Sequence, residues 1–447
     1  MAIERLARTA LAVGAAAIAL AASWAAAGGV PPTNPSAAEA IYSASPERLL
    51  QIRTIVASTG RQSSIGSGFL ADPDGLVITN YHVVSQVALE PKTYRLEFVG
   101  ADGSRGNLTL LAIDLPNDLA VVRLEKHGAP YFAFDERAKA GALPKGERLF
   151  SMGNPLDLGF TINEGTYNGL VEHSYGERMH FTGALNPGMS GGPTVTAAGL
   201  VVGINVAKRL GGDLVSFLVP ARFAVALLDQ VRAQEAAAPQ DFRADIARQL
   251  TGWQAGLYAS LSDEGFRSTA LGPYEVPEPA LPWFECWART NDGVRPKPRA
   301  SVNSTTCSGN TGLFVASDLT IGAIQVTHSH VSTADLNQFQ FASFLTQMSQ
   351  SRVVVIGASF RKWYTPERCH EDFMAAAAAT AGHPPLRVVW CAQAYREFND
   401  LYDVALTAVT EDHGKEALVS RLGLRAVEYD KAVALSQRFL ENVRTSK

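Results

Sequence analysis

Between residues 51 and 220 the chain is a succession of short runs rich in Val, Ile, Leu, Thr and Phe, separated by turn clusters such as Asp72-Pro73-Asp74-Gly75 and Ala101-Asp102-Gly103. Residues 67–70, 76–79, 95–99, 119–124 and 200–206 are examples. This punctuation belongs to an all-β sandwich or barrel. No stretch of helical length interrupts it. The pattern changes after Pro220, where Phe223, Leu227, Leu228 and Val231 recur at helical spacing with Asp229, Arg232 and Gln234 on other faces, which predicts a closing helix over 221–234. Ala236-Ala237-Ala238-Pro239 then reads as a linker, with a boundary near residue 240.

A chain of 447 residues is too long for one core, so two folded units and an N-terminal appendage are expected. Arg5 and Arg8 precede an uncharged, Ala-rich run over 9–27 that ends in Ala25-Ala26-Ala27, the three parts of a secretory signal peptide at 1–27. The rival reading is a retained membrane anchor. Residues 28–45, rich in Pro, Ala and Ser, suggest a flexible lead-in, and folding is expected to begin at Pro46. With 39 basic against 43 acidic side chains the net charge is -4, too weak a field to argue for a nucleic acid or a membrane partner once the signal is removed, and nothing argues for oligomerisation.

The four cysteines, Cys286, Cys307, Cys369 and Cys391, all lie in the C-terminal half. In an exported chain an even count favours disulfides. Three pairings are open; Cys286 with Cys307 and Cys369 with Cys391 are preferred because short closures are entropically easy. Zinc is the weaker reading, since these cysteines are scattered singly rather than in close pairs. Residues 240–447 otherwise look mixed α+β: strands over 313–327, a helix over 337–348, a buried strand at 353–358 and one or more amphipathic helices across 394–443. His328 and His330 share a face of a strand but lack a third ligand, so no metal site is assigned.

Three segments carry chemistry. Thr79-Asn80-Tyr81-His82-Val83-Val84 sets a histidine just past a strand end, held yet accessible. In Asp114-Leu115-Pro116-Asn117-Asp118-Leu119-Ala120-Val121-Val122, Asp118 enters an apolar strand and needs a partner such as an imidazole N–H, whereas Asp114 looks like part of a solvated turn. In Asn186-Pro187-Gly188-Met189-Ser190-Gly191-Gly192-Pro193, glycines flank one serine, so the backbone can turn tightly and aim the Gly188 and Ser190 N–H groups at one spot. A phosphate-binding loop would want a lysine and a helix there.

Together these segments resemble the trypsin/chymotrypsin superfamily and, more closely, its bacterial HtrA-type branch. Gly66-Ser67-Gly68-Phe69, Gly153-Asn154-Pro155, Val202-Gly203-Ile204-Asn205 and Ser216-Phe217-Leu218-Val219-Pro220 add to the likeness. The resemblance implies an all-β double β-barrel protease domain at 46–235, followed by an α+β domain of unknown type at 240–447. It implies Ser190 as nucleophile, His82 as general base and then acid, Asp118 as the group that orients the imidazole, and Gly188 with Ser190 as the oxyanion hole. It implies protein or peptide substrates and no cofactor.

Trypsin-like zymogens carry an aspartate before the serine to receive a freed N-terminal ammonium; Met189 stands here, so that ion pair cannot form. The resemblance puts the floor of the specificity pocket at Ala184 and its wall at Val206 with Ala207. That implies uncharged, apolar side chains at the cleavage site, unless Lys208 and Arg209 turn it towards acidic ones. HtrA-type chains often carry PDZ modules, but no Gly-Leu-Gly-Phe-like loop is found, Gly423-Leu424 lying in a region read as helical. The rival from another class is a catalytically silent barrel scaffold that binds or chaperones.

Overall fold

The computed structural model describes residues 35–125, 127–208, 214–233, 241–309, 311–350, 360–374, 382–411 and 414–446. The signal segment at 1–27, Arg209, the linker 236–239 and the strand expected at 353–358 lie outside the described residues.

A short helix, α1 (Ala37–Ser43), precedes the barrels. Its presence corrects the expectation of a flexible lead-in at residues 37–43; residues 28–34 lie outside the described residues. Ser36 and Glu39 form a reciprocal capping box, and Tyr42 donates to the Phe160 carbonyl at 2.9 Å.

β1 (Leu49–Val56), β2 (Gln62–Leu70), β3 (Leu76–Thr79), β4 (Tyr94–Gly100), β5 (Arg105–Asp114) and β6 (Leu119–Arg123) close into one barrel in the order β1-β2-β3-β6-β5-β4. β7 (Arg148–Gly153), β8 (Thr161–Leu170), β9 (Met179–Thr182), β10 (Pro193–Val195), β11 (Val201–Lys208) and β12 (Val215–Pro220) close into a second in the order β10-β11-β12-β9-β8-β7. Closure leaves neither barrel an unpaired edge. Phe69, Ile78, Phe150, Met152, Ile204 and Val219 form one buried cluster joining the barrels, and the closing helix α3 (Ala221–Ala233) adds Ala224, Leu227 and Leu228 to it.

Contrary to expectation a helix of nine residues interrupts the strands, besides the single turn Glu136–Lys139 between β6 and β7. α2 (Tyr81–Leu89) follows β3 and buries Tyr81, Val83, Val84, Ala88 and Leu89.

The C-terminal half opens with the long helix α4 (Phe242–Glu264), whose N-cap Asp241 accepts from the N–H groups of Arg243 and Ala244. β13 (Phe266–Leu271) and β14 (Tyr274–Pro279) pair next to each other. A seven-stranded antiparallel sheet then runs in the order β15-β16-β19-β23-β22-β21-β20. Its strands are β15 (Phe284–Thr290), β16 (Ser301–Gly309), β19 (Ile324–Ser332), β20 (Arg368–Met374), β21 (Leu386–Ala394), β22 (Leu401–Thr410) and β23 (Glu416–Glu428). Between β16 and β19 projects a separate hairpin, β17 (Leu313–Ala316) and β18 (Leu319–Ile321).

Helices α5 (Gln338–Met348) and α6 (Tyr429–Glu441) complete the domain, and β24 (Arg444–Thr445) joins β14. Of the one or more amphipathic helices expected across 394–443 the structure has α6, and most of the rest is strand, β22 and β23. Gly423 and Leu424 are accordingly on a strand, paired with Gln325 and Ile324.

Both outermost strands of this sheet are solvated along nearly their whole length and bury almost nothing. Each is pinned to its neighbour by a disulfide between directly opposed residues, Cys286–Cys307 on β15–β16 and Cys369–Cys391 on β20–β21. These are the pairs preferred from the sequence. Closing a loop of this size removes about 3 kcal/mol of unfolded-chain entropy. Replacing Cys369 and Cys391 together by serine is therefore expected to lower stability by about 2–4 kcal/mol. Hydrogen exchange should report β20 opening ahead of the rest of the sheet; unaltered exchange along 368–374 would refute this.

Candidate functional site

The site forms where the two barrels meet, and each side chain arrives there for a local reason. β3 ends at Thr79, and the chain turns at Asn80 into α2, so His82 sits in the first turn of a helix whose next residues are locked in the core. Asp118 closes the turn between β5 and β6 in a left-handed conformation, φ 58°, uncommon for a residue with a Cβ. The turn is fastened from both sides. The Asn80 amide donates to the Asp118 carbonyl at 2.8 Å, as does the Tyr81 N–H at 3.2 Å, and the Asp118 N–H donates to the Leu115 carbonyl at 3.1 Å.

That conformation aims the carboxylate at His82. Oδ2 lies 2.7 Å from the ring Nδ1, and Oδ1 accepts the backbone N–H of the same residue at 2.9 Å. A carboxylate can only accept, so the ring proton belongs on Nδ1 and Nε2 is left with its lone pair. Burial pulls the His82 pKa down, but the charge and hydrogen bond of Asp118 outweigh it and hold the imidazole above its ordinary value. Asp114 is not a solvated carboxylate, which corrects the expectation. Burial raises its pKa, and it accepts from the Asn117 N–H at 3.1 Å and side-chain amide at 2.8 Å.

Ser190 lies in the loop before β10. Gly188 has φ 96° and Gly191 φ 86°, and a Cβ on Gly191 would overlap the Ser67 carbonyl. The Ser190 hydroxyl donates to the Val206 carbonyl at 3.3 Å rather than to His82. Among the described residues the N–H groups of Gly188 and Ser190 have no acceptor. The Pro187 carbonyl takes the Leu156 N–H at 2.9 Å, so in that trans peptide the Gly188 N–H faces the other way.

Two buried polar residues hold this loop, neither singled out in the sequence for the task. Ser67 on β2 donates its hydroxyl to the Gly188 carbonyl at 2.7 Å, accepts from the Asn154 N–H at 2.9 Å, and gives its own N–H to the Ser190 carbonyl at 2.7 Å. Asn205 on β11 donates to the carbonyls of Met152 and Met189 at 2.9 and 3.2 Å and accepts from Ser151 and Thr194 at 2.8 and 2.7 Å. Its amide is fully used. Met189 itself is completely buried among Leu149, Phe181, Leu185 and Val202. An apolar anchor and a saturated amide thus order the loop where an aspartate–ammonium pair is absent. The signal available in the sequence was the Gly-Ser-Gly and Gly-Ile-Asn runs, which carried the family likeness without a role.

Of the residues expected at the specificity pocket, Ala184 is half-buried and its carbonyl accepts from the Asn163 amide at 2.8 Å. Val206 bonds the serine, and the side chains of Ala207 and Lys208 are outside the described residues. His328 is completely buried. Its nitrogens meet the Ser420 hydroxyl and the Pro277 carbonyl, both at 2.8 Å, and burial pushes its pKa down to about 4. It is a neutral core group, and His330 faces Glu416 at 3.4 Å.

The C-terminal half reaches into this site. Tyr81, next to His82, donates its hydroxyl to the Val315 carbonyl on β17 at 2.8 Å, and Phe314 meets the His82 ring edge-on at 5.9 Å. From α4, Gln249 accepts the Leu115 N–H at 2.7 Å and donates to the Ile113 carbonyl at 2.9 Å, gripping the turn that carries Asp118.

Residues 66–204 match the trypsin-like peptidase domain family. The chain is 31% identical over 174 residues to a probable periplasmic serine endoprotease, DegP-like, of Chlamydia pneumoniae, covering 37% of this chain and 34% of that protein. It is 34% identical over 168 residues to the putative serine protease HhoB of Synechocystis, covering 36% and 38% respectively. A crystal structure of the serine endoprotease from Yersinia pestis aligns with a TM-score of 0.38 and 21% identity, over 45% of this chain and 68% of that one. The chain thus spans little more than a third of the length of the curated relatives it matches. Over residues 66–204, in barrel topology and in the segments that build the site, this chain is similar to trypsin-like peptidase domains.

Proposed function

We propose that the chain is a serine endopeptidase that hydrolyses peptide bonds of proteins in the cell envelope through an acyl-enzyme. The observation that carries this reading is the paired His82 and Asp118 beside a serine whose loop offers two unused N–H donors. The reading requires the Ser190 hydroxyl to leave the Val206 carbonyl and turn to Nε2 of His82; such bonds are commonly unmade before substrate binds. Oγ then attacks the scissile carbonyl carbon as its proton passes to Nε2. The resulting oxyanion takes the Gly188 and Ser190 N–H groups, and the C–N bond breaks as the imidazolium returns the proton to the leaving amine. Water, activated by the same imidazole, cleaves the ester.

The envelope location rests on the basic and apolar start of the sequence and on relatives named periplasmic. No helix among the described residues is long and apolar enough to cross a membrane. An apolar residue at the cleavage site is the preference that Ala184 supports. A fluorophosphonate is expected to label Ser190 stoichiometrically and to leave Ser190→Ala untouched. Folded protein that takes no label would instead be a silent scaffold.

A further inference from the structure

At Val206, which contacts Ser190, is a cleft of about 280 Å³ that neither half of the chain makes alone. One wall is Val206, whose carbonyl holds the Ser190 hydroxyl, with Phe217 from the paired strand β12. The roof is Trp253 of α4 and residues 311–313, the approach to the hairpin that sets Phe314 on His82. The remaining wall carries Arg178 and Pro116, the latter in the turn that ends at Asp118. The cleft therefore touches the turn bearing Asp118 and is one contact removed from Ser190, through Val206, and from His82, through the hairpin that carries Phe314; its roof is foreign to the barrels.

Arg178 gives the cleft its chemistry. The guanidinium donates to the carbonyls of Glu177 and Pro116 at 2.8 and 3.3 Å and forms no ion pair among the described residues. Asp114 and Asp118 attract it from beyond contact distance, while Asp114 spends its oxygens on Asn117 and Asp118 spends its own on His82. A guanidinium has five N–H donors, so most are left to meet something that enters the cleft. A planar carboxylate satisfies two at once, and Trp253, Phe217 and Leu313 suit the methylenes that carry it.

We infer that this cleft is a substrate subsite built jointly by both halves of the chain, and that Arg178 selects a glutamate or aspartate side chain near the scissile bond. The inference rests on the peptidase reading but is separable from it, because binding is measured without turnover. In full-length Ser190→Ala protein, fluorescein-labelled hexapeptides carrying Glu, Gln or Lys at one scanned position are compared by anisotropy, with Trp253 fluorescence as a second readout. At one position the Glu peptide is expected to bind at least about tenfold tighter than the Gln peptide, the size of one charge-assisted hydrogen bond, with Lys weakest. Adding Arg178→Gln should erase that order, and Arg178→Lys should keep it, with thermal melts of both confirming the fold. Equal affinities for Glu and Gln at every position, or a Glu preference that survives Arg178→Gln, would overturn the inference. A failure of fluorophosphonate labelling strikes the peptidase reading and leaves this binding order to be read by itself.

Discussion

Asp118→Asn is expected to lower kcat by about 10⁴-fold while leaving the barrels folded. Two donors of His82, the backbone N–H and the ring Nδ1–H, both end on the Asp118 carboxylate. An amide has one acceptor oxygen and one NH₂ group, so it can satisfy only one of them. If the amide nitrogen faces the ring, the imidazole must carry its proton on Nε2 and can no longer take one from Ser190.

The same substitution should move the pH profile. In the unaltered protein the base must be neutral, and the Asp118 charge holds the His82 pKa above its ordinary value despite burial. Activity is therefore low in acid and rises with pH through a midpoint above about 6.5, the reference value for histidine. Taking away the negative charge leaves burial as the main influence, so the residual activity of Asp118→Asn should appear at lower pH. Profiles of kcat/KM for both proteins measure this. A midpoint that does not move, with a rate within tenfold of the original, would remove Asp118 from the mechanism.

How much of this was readable in advance depends on how local the cause is. His82, Asp118 and Ser190 stand in short segments whose turn and strand signals lie within a few residues, and so does the β punctuation of both barrels. α2 was missed because nine residues make little more than two turns, although Val83, Val84, Val87 and Ala88 have helical spacing. The capping box of α1 was equally present, as Ser36 with Glu39, and was overlooked in a Pro- and Ala-rich context.

β23 misled for a different reason. Ala417, Leu418, Val419 and Ser420 are buried in succession, so its first half lacks the alternation that marks a half-solvated strand, and its apolar residues mimic a helix. What no local pattern could supply is the contact of Tyr81 with Val315, 234 positions apart. Such pairings leave no period behind them.

A chain stopped after residue 235 is expected to lose both its fold and its reactivity at Ser190. The core of the first barrel does not end at the barrel: Leu50, Ile52, Tyr81 and Leu115 belong to one buried cluster with Ile246, Leu250, Leu313, Val315 and Trp363. Each large apolar side chain left uncovered forfeits about 1.5–3 kcal/mol, and domains of this kind have only about 5–15 kcal/mol in total. The polar ties fail with it, since Tyr81, Ile113 and Leu115 all find partners in the C-terminal half. Far-ultraviolet circular dichroism and fluorophosphonate labelling of the shortened chain give the answer directly. A soluble, folded 46–235 fragment that labels at the full-length rate would make the C-terminal half a passenger. The graded form of the experiment is Tyr81→Phe, which strands the Val315 carbonyl and should cost about 1–3 kcal/mol. Because Tyr81 adjoins His82 and the same hairpin carries Phe314, that variant should also slow labelling of Ser190 under conditions where the protein remains fully folded. A loss of stability with no change in labelling would confine the hairpin to holding the fold.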